Sequence, residues 1–195
     1  MRIWPFGIAA VVGALLAGPS AAQDQPTEAE MMAAWAEAMQ IGPEHMALSA
    51  RAGTWSTTTT YPAHPGSDEI VTEHGTAERV ATLDGRVLEE RLQGTIMGQP
   101  YAGIGRAGFD NVTGRYWSTW TDTMTTGLLV MYGDYDELTS TYTYEGVSID
   151  PLMGEVPMRV EQVVESPDRE IMRLSMQFPG QDMAEMMQVV YERQP

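Results

Sequence analysis

The chain has 195 residues, no Cys, and 27 acidic against 11 basic side chains, for a formal charge of −16. The lack of Cys excludes a disulfide framework and a lipidated Cys anchor, so an exported domain of this size must rely on its hydrophobic core. The acidity sets the surface against nucleic acid and anionic lipid, and excludes both as main partners.

The chain starts with Met1-Arg2, an apolar stretch from Ile3 to Ala17, and the small-residue exit Gly18-Pro19-Ser20-Ala21-Ala22. This is the three-part pattern of a secretory signal peptide over residues 1–22, with the cut expected between Ala22 and Gln23. The apolar run is too short to span a bilayer comfortably, and Gly13, Gly18 and Pro19 interrupt it. Cleavage removes Arg2 and leaves 173 residues at −17. That is enough for one domain with a real core, expected to be periplasmic or secreted and free of the membrane.

Residues 23–52 read as a linker and N-terminal helices. Thr27-x-x-Glu30 after Pro26 is a capping box. Met31, Met32, Trp35, Ala38 and Met39 follow at helical spacing, and Gly42-Pro43 reads as the stop. A second short helix is expected from Glu44 to about Arg51. The pattern then changes. The Thr57–Tyr61 run is β-forming, and Pro62 to Ser67 is a loop. Ile70 to Thr82 is a long strand closed by the hairpin signal Asp84-Gly85. Further strands are expected at Val87–Thr95, Tyr101–Phe109, Tyr116–Thr121, Leu128–Tyr135, Leu138–Tyr144, Val156–Glu165, Glu170–Phe178 and Met186–Arg193.

Nine or ten short strands with tight turns and no intervening helix predict a mainly β fold. Its form is a single antiparallel up-and-down barrel over residues 53–195, because closure removes exposed edges. A two-sheet sandwich is the alternative. A closed barrel of this size has room for a ligand inside.

Several segments carry a family resemblance: Gly42-Pro43-Glu44-His45-x-x-Leu48, Gly53-Thr54-Trp55, Gly75-Thr76-Ala77-Glu78 and Leu83-x-Gly85-Arg86. With them go Met97-Gly98-Gln99-Pro100-Tyr101-x-Gly103-x-Gly105-x-x-Gly108-Phe109-Asp110-Asn111, Tyr116-x-Ser118-Thr119-Trp120-x-Asp122-x-Met124-x-x-Gly127 and Tyr191-x-Arg193. Together they resemble the bacterial family called domain of unknown function 1579, over about Gly42 to Arg193. The resemblance implies a barrel similar to the calycins, the group of lipocalins, fatty-acid-binding proteins and avidins. It also implies a structural pairing of Trp55 on the first strand with Arg193 on the last, the guanidinium stacked on the indole.

No catalytic motif stands out. The three His (His45, His64 and His74) sit on separate segments without ligand spacing, so no metal site is expected. No His follows His74, which argues against a His-ligated haem of the nitrobindin type, and no other cofactor is implied. The 15 Met read as flexible core filler rather than as soft metal ligands. Gly103-x-Gly105 lies in a strand with no helix after it, so it is no phosphate loop; glycine there permits bending or close approach. Alternation puts Tyr116, Ser118, Trp120 and Asp122 on one face, and Glu90 between Leu88 and Leu92 on another. These five are the candidate ligand-binding residues. The expected function is a binding barrel for a small, largely apolar molecule. Two alternatives stand beside it: an enzyme using Asp122 or Glu90 as general acid or base, and an interaction module with a filled core.

Overall fold

A computed structural model describes residues 25–64 and 66–195; the signal segment 1–22 and the cut before Gln23 lie outside the described residues. Two short helices, α1 (Glu28–Ala38) and α2 (Pro43–Ser49), precede ten strands. These are β1 (Gly53–Pro62), β2 (Ile70–Thr82), β3 (Val87–Ile96), β4 (Gln99–Asp110), β5 (Arg115–Asp122), β6 (Leu129–Asp136), β7 (Thr141–Asp150), β8 (Gly154–Ser166), β9 (Arg169–Met176) and β10 (Ala184–Arg193). Every strand pairs antiparallel with its sequence neighbours, and β1 pairs with β10 to close the barrel. The expected antiparallel up-and-down barrel is therefore the fold, and the sandwich is excluded.

The helices differ from their sequence reading. The capping box forms at α1, with Thr27 accepting from the Glu30 amide and Glu30 accepting from the Thr27 amide. The helix ends at Ala38, however, and Gly42 is the N-cap of α2 with Pro43 at its first position. Gly42-Pro43 thus starts the second helix, where the missing proline N–H is harmless. The apolar face of α1 is not core: no residue of the helix is buried, and Trp35 is 67% exposed. Its last turn is tied down by polar groups instead. Asn111 Nδ2 donates to the carbonyls of Ala38 and Gln40, and Arg86 to that of Met39. It is α2 that packs on the barrel, burying Leu48 and His45.

Strand boundaries shift most at β7. It starts at Thr141, not Leu138, whose side chain stands almost wholly in solvent within the β6–β7 turn. The Asp84-Gly85 hairpin forms with a wider turn than two residues. Leu83, Asp84 and Gly85 all have positive φ, and a 3₁₀ turn spans Leu83–Gly85.

Because hairpins alternate ends, the β1–β2, β3–β4, β5–β6, β7–β8 and β9–β10 connections gather at one end. The other end holds α2, which packs Leu48 against Leu88, Tyr116, Met131, Tyr142 and Tyr144. A second cluster, Trp55, Ala77, Leu92, Val189 and Tyr191, lies along the β10–β1–β2–β3 wall. Methionine is in part the core filler expected: among the described residues Met131 is buried in the core, and Met158, Met172 and Met187 pack partly buried against the core clusters. All four also line a cavity, together with Met176 and Met186.

Candidate functional site

The barrel encloses a cavity of about 1690 Å³ that reaches out through the mouth loops. Its lining includes loop residues Met97, Thr123–Leu128, Met153 and Phe178 from the open end, and Arg51 and Tyr144 from the floor. A drug-sized ligand site takes ~300–1,000 Å³, so the space is ample.

Four of the five candidate residues, Ser118, Trp120, Asp122 and Glu90, line this cavity. Tyr116 does not. It belongs to the packed floor, with Phe109 at 4.8 Å and Tyr142 at 5.1 Å between ring centroids. The alternation on β5 is as expected, but the strand runs from floor to mouth, so its innermost member becomes core.

Asp122 is fully engaged. One oxygen accepts from the Met124 and Thr125 amides, and the other from Tyr101 Oη and Trp120 Nε1 at 3.2 and 3.1 Å. It folds the β5–β6 loop and fixes two aromatic rings on the cavity wall. Burial, then the Asp122 charge, pushes the Tyr101 phenol up, so it stays a donor. With these partners Asp122 is a positioning group for the wall rather than a free acid or base.

The Trp120 ring explains the Gly-rich strand. It lies across β4, where a Cβ on Gly103 would overlap it and one on Gly105 would come within 2.8 Å. The close approach that glycine permits here is to an aromatic side chain. Gly103→Ala is expected to displace the ring and cost ~1–3 kcal/mol, the range for overpacking. Urea unfolding checks this, and a midpoint equal to wild type would show that the ring does not need the space.

Glu90 belongs to a buried ionic network at the floor, which pattern reading missed. Arg51 makes a two-pronged contact to Glu170, both bonds at 2.9 Å. Arg79 donates to Glu170 at 2.7 Å and to Glu90 through Nε. Gln162 Nε2 donates to Glu170 at 2.7 Å, and Tyr191 Oη to Glu90 at 3.3 Å. Arg79 also stacks on Tyr191 at 4.3 Å, and Arg51 on Tyr142 at 5.0 Å. Burial alone would raise the Glu170 carboxyl, but the two guanidinium groups outweigh it and hold it down at about 2. Burial pulls Arg51 and Arg79 the other way, and the carboxylates keep both firmly charged. One signal for this network was in the sequence. A hairpin centred on Asp84-Gly85 sets Arg79 opposite Glu90, as observed. Nothing local connects these two to Glu170.

Trp55 and Arg193 are register partners across the β1–β10 closure, with the guanidinium 4.3 Å from the ring centroid. Arg79 stacks on the same indole at 4.9 Å. Arg193 also donates to the carbonyls of Ala50, Ala52 and Pro167. These contacts make Trp55 and Arg193 a structural clasp.

His45 accepts from the Gly42 amide at Nδ1, which leaves the proton on Nε2 to donate to the Phe109 carbonyl at 3.2 Å. It links α2 to β4. His74 Nδ1 lies 3.3 Å from Thr58 Oγ1. Among the described residues no group of three or more His, Asp or Glu side chains is placed to hold a metal ion.

The sequence profile of the family described as protein of unknown function (DUF1579) matches residues 40–193. No curated protein matches the chain. Among solved structures it is similar to Rv2717c from M. tuberculosis, 16% identical with a TM-score of 0.57, over 80% of this chain and 100% of that one. It is also similar to a redesigned β-barrel, 18% identical with a TM-score of 0.39, over 76% and 96% of the two chains. The first likeness shows a shared barrel fold.

Proposed function

The chain belongs to the DUF1579 family, and we propose that it is an exported binding barrel that holds a small, largely apolar molecule. The observation that carries this reading is the cavity itself, closed by α2 and the aromatic floor and open at the mouth loops. A filled barrel would be an interaction module; this one has space. Its walls are mainly apolar, with Leu92, Val160, Leu174 and Val189 among nine flexible Met side chains. Thioethers on unbranched stems adapt to the shape of what they enclose, which suits ligand binding better than rigid packing.

The two carboxylates first considered as acid or base favour binding over catalysis. Asp122 is committed to four donors and Glu90 to Arg79 and Tyr191. Export rests on the three-part start of the sequence and on a surface charge suited to solubility outside the cytoplasm.

Native mass spectrometry of the protein recovered from the periplasm tests both parts. The expected result is a chain starting at Gln23 that carries a bound small organic molecule, released on denaturation. A full-length chain in the membrane fraction would overturn export. A ligand-free protein that also fails to bind a neutral apolar fluorophore would overturn the binding reading.

A further inference from the structure

Inside the mouth, strand register sets Leu92, Gly103 and Asp122 in one row across β3, β4 and β5, and Glu90, Gly105 and Trp120 in the next row towards the floor. The indole of Trp120 lies over both glycines. One face of the ring therefore rests on β4, and the other is turned to the cavity that Trp120 lines. Tyr101 stands beside it, its hydroxyl accepting from Trp120 Nε1 at 3.0 Å. The charges along this wall do not cancel. Glu90 and Glu170 are matched at the floor by Arg79 and Arg51. Asp122 has four neutral donors and, among the described residues, no arginine partner. Those bonds occupy its lone pairs and leave its negative charge in place. A carboxylate beside an open indole face, in a cavity with apolar walls, is complementary to a cation.

The entrance has the same sign. The five loops of the open end, residues 63–69, 97–98, 123–128, 151–153 and 177–183, carry Asp68, Glu69 and Asp182 and no Arg or Lys. Asp150 and Glu185 add carboxylates at strand ends there, and Glu185 meets Arg173 at 3.8 Å. Arg51, Arg86, Arg115, Arg169 and Arg193 lie at the closed end instead. Such a rim draws cations towards the cavity and turns anions away. The filled lone pairs of Asp122 narrow the kind of cation. An ammonium with N–H groups would give up water for a carboxylate with no acceptor site left, and its donors would be stranded. A quaternary ammonium has no N–H to satisfy, so charge and ring contact suffice to hold it.

Resting on the binding-barrel reading, we infer that the wall formed by Trp120, Tyr101 and Asp122 holds the quaternary ammonium head of an organic cation whose apolar tail fills the lumen. Asp122 is the last residue of β5, at the mouth, so the head stays near the opening and the tail points to the floor. A phosphocholine lipid fits less well. With its ammonium at Asp122, its phosphate would lie deeper, among apolar walls and without a free counter-charge.

The test uses the mature chain and probes with an eight-carbon tail: octyltrimethylammonium, octylammonium, octylphosphocholine, octanoate and octanol. Each displaces a neutral apolar fluorophore from the cavity. Wild type is expected to bind octyltrimethylammonium more tightly than octanoate, octylammonium or octylphosphocholine. Added salt is expected to weaken the cation and not octanol. Asp122→Asn keeps a carbonyl for the loop amides and removes the charge. It is expected to lower the ratio of octyltrimethylammonium to octanol affinity about tenfold. Trp120→Leu removes the ring face and is expected to lower the same ratio about three- to tenfold, the worth of one cation–π contact. If Asp122→Asn does not fold, Trp120→Leu and the wild-type order of probes decide. Octanoate bound as tightly as the cation would overturn a cationic ligand. Tighter octylammonium would overturn the quaternary head, and tighter octylphosphocholine would assign the wall to a lipid head group and overturn the simple cation. A ratio unchanged in the folded variants would overturn the wall as the site. If no probe and no fluorophore binds wild type, the binding barrel itself falls. If octanol and the fluorophore bind and charge makes no difference, only the cation assignment falls.

Discussion

Replacing Glu170 with alanine is expected to destabilise the protein by about 3–5 kcal/mol, the usual result of removing one partner from a buried ion pair. The carboxylate is 1% exposed and takes bonds from Arg51, Arg79 and Gln162. Without it two guanidinium groups remain at the barrel floor, with only Glu90 to balance them. The loss therefore measures stranded charge and not the net worth of the network. Glu170→Gln keeps the shape and some of the bonds but not the charge, so it is also expected to destabilise. Urea unfolding measures both, and a loss under about 1 kcal/mol for Glu170→Ala would mean that the floor is open to water.

The same residue sets an acid limit. Its folded pKa, about 2, lies below its ordinary 4.5, because both arginines favour the charged form. A depressed carboxyl lends stability that is fully present above the unfolded value and is lost as protons are taken up. Wild type is therefore expected to lose this contribution as the pH falls from about 4.5 through about 2. Glu170→Gln has no proton to bind there, so its unfolding midpoint should fall less steeply across that window. Parallel slopes would assign acid sensitivity to other carboxylates.

Trp55→Ala is expected to cost ~3–5 kcal/mol, as for other large aromatic side chains removed from a core. The indole is 0% exposed, stacked between Arg79 and Arg193, edge-on to Tyr191, and donates from Nε1 to the Arg51 carbonyl. Arg193→Ala is expected to cost ~2–3 kcal/mol, mainly from charge-assisted bonds to backbone carbonyls. Those bonds join the segment entering β1 to the β8–β9 turn, and an ion pair to Asp168 at 3.2 Å adds to them. Gly53 belongs to the same clasp. Its φ is +141°, and a side chain there would run into the Arg193 guanidinium.

Because Trp55 and Arg193 touch, the double mutant should cost less than the sum, by roughly 0.5–2 kcal/mol for the shared cation–π contact. Arg193→Lys keeps the charge but loses the planar fork, so it should recover only part of the loss. If Trp55→Ala does not fold, Trp55→Phe provides the cycle with a smaller perturbation. Strict additivity would show that Arg193 acts only through its backbone bonds.

The fold was legible because its signals are local. Alternating side chains, the Asp84-Gly85 turn and short polar separators repeat along the chain, and together they specify sequential hairpins. Closure then follows from the number of strands, and it brings Trp55 beside Arg193 because they lie on the first and last. Face assignment on β5 was also local: Ser118, Trp120 and Asp122 share the cavity side. The α1 helix shows where local signals stop. Its capping box is real, but helical spacing of Met31, Trp35 and Met39 states a shape and not a partner, and the barrel offers that face none.

Apart from the Arg79–Glu90 pair across the β2–β3 hairpin, the floor was decided by tertiary structure. Arg51 and Glu170 are 119 residues apart, and Arg79 and Glu170 are 91 apart. Tyr144 and Gln162 come from two further strands. Alternation tells which residues face inward, but not which meet at one height across the lumen. That height depends on the stagger accumulated from strand to strand around the closed sheet. No single hairpin contains it, so the sequence determined a barrel and its inward faces, and the closed sheet determined which inward residues form the floor.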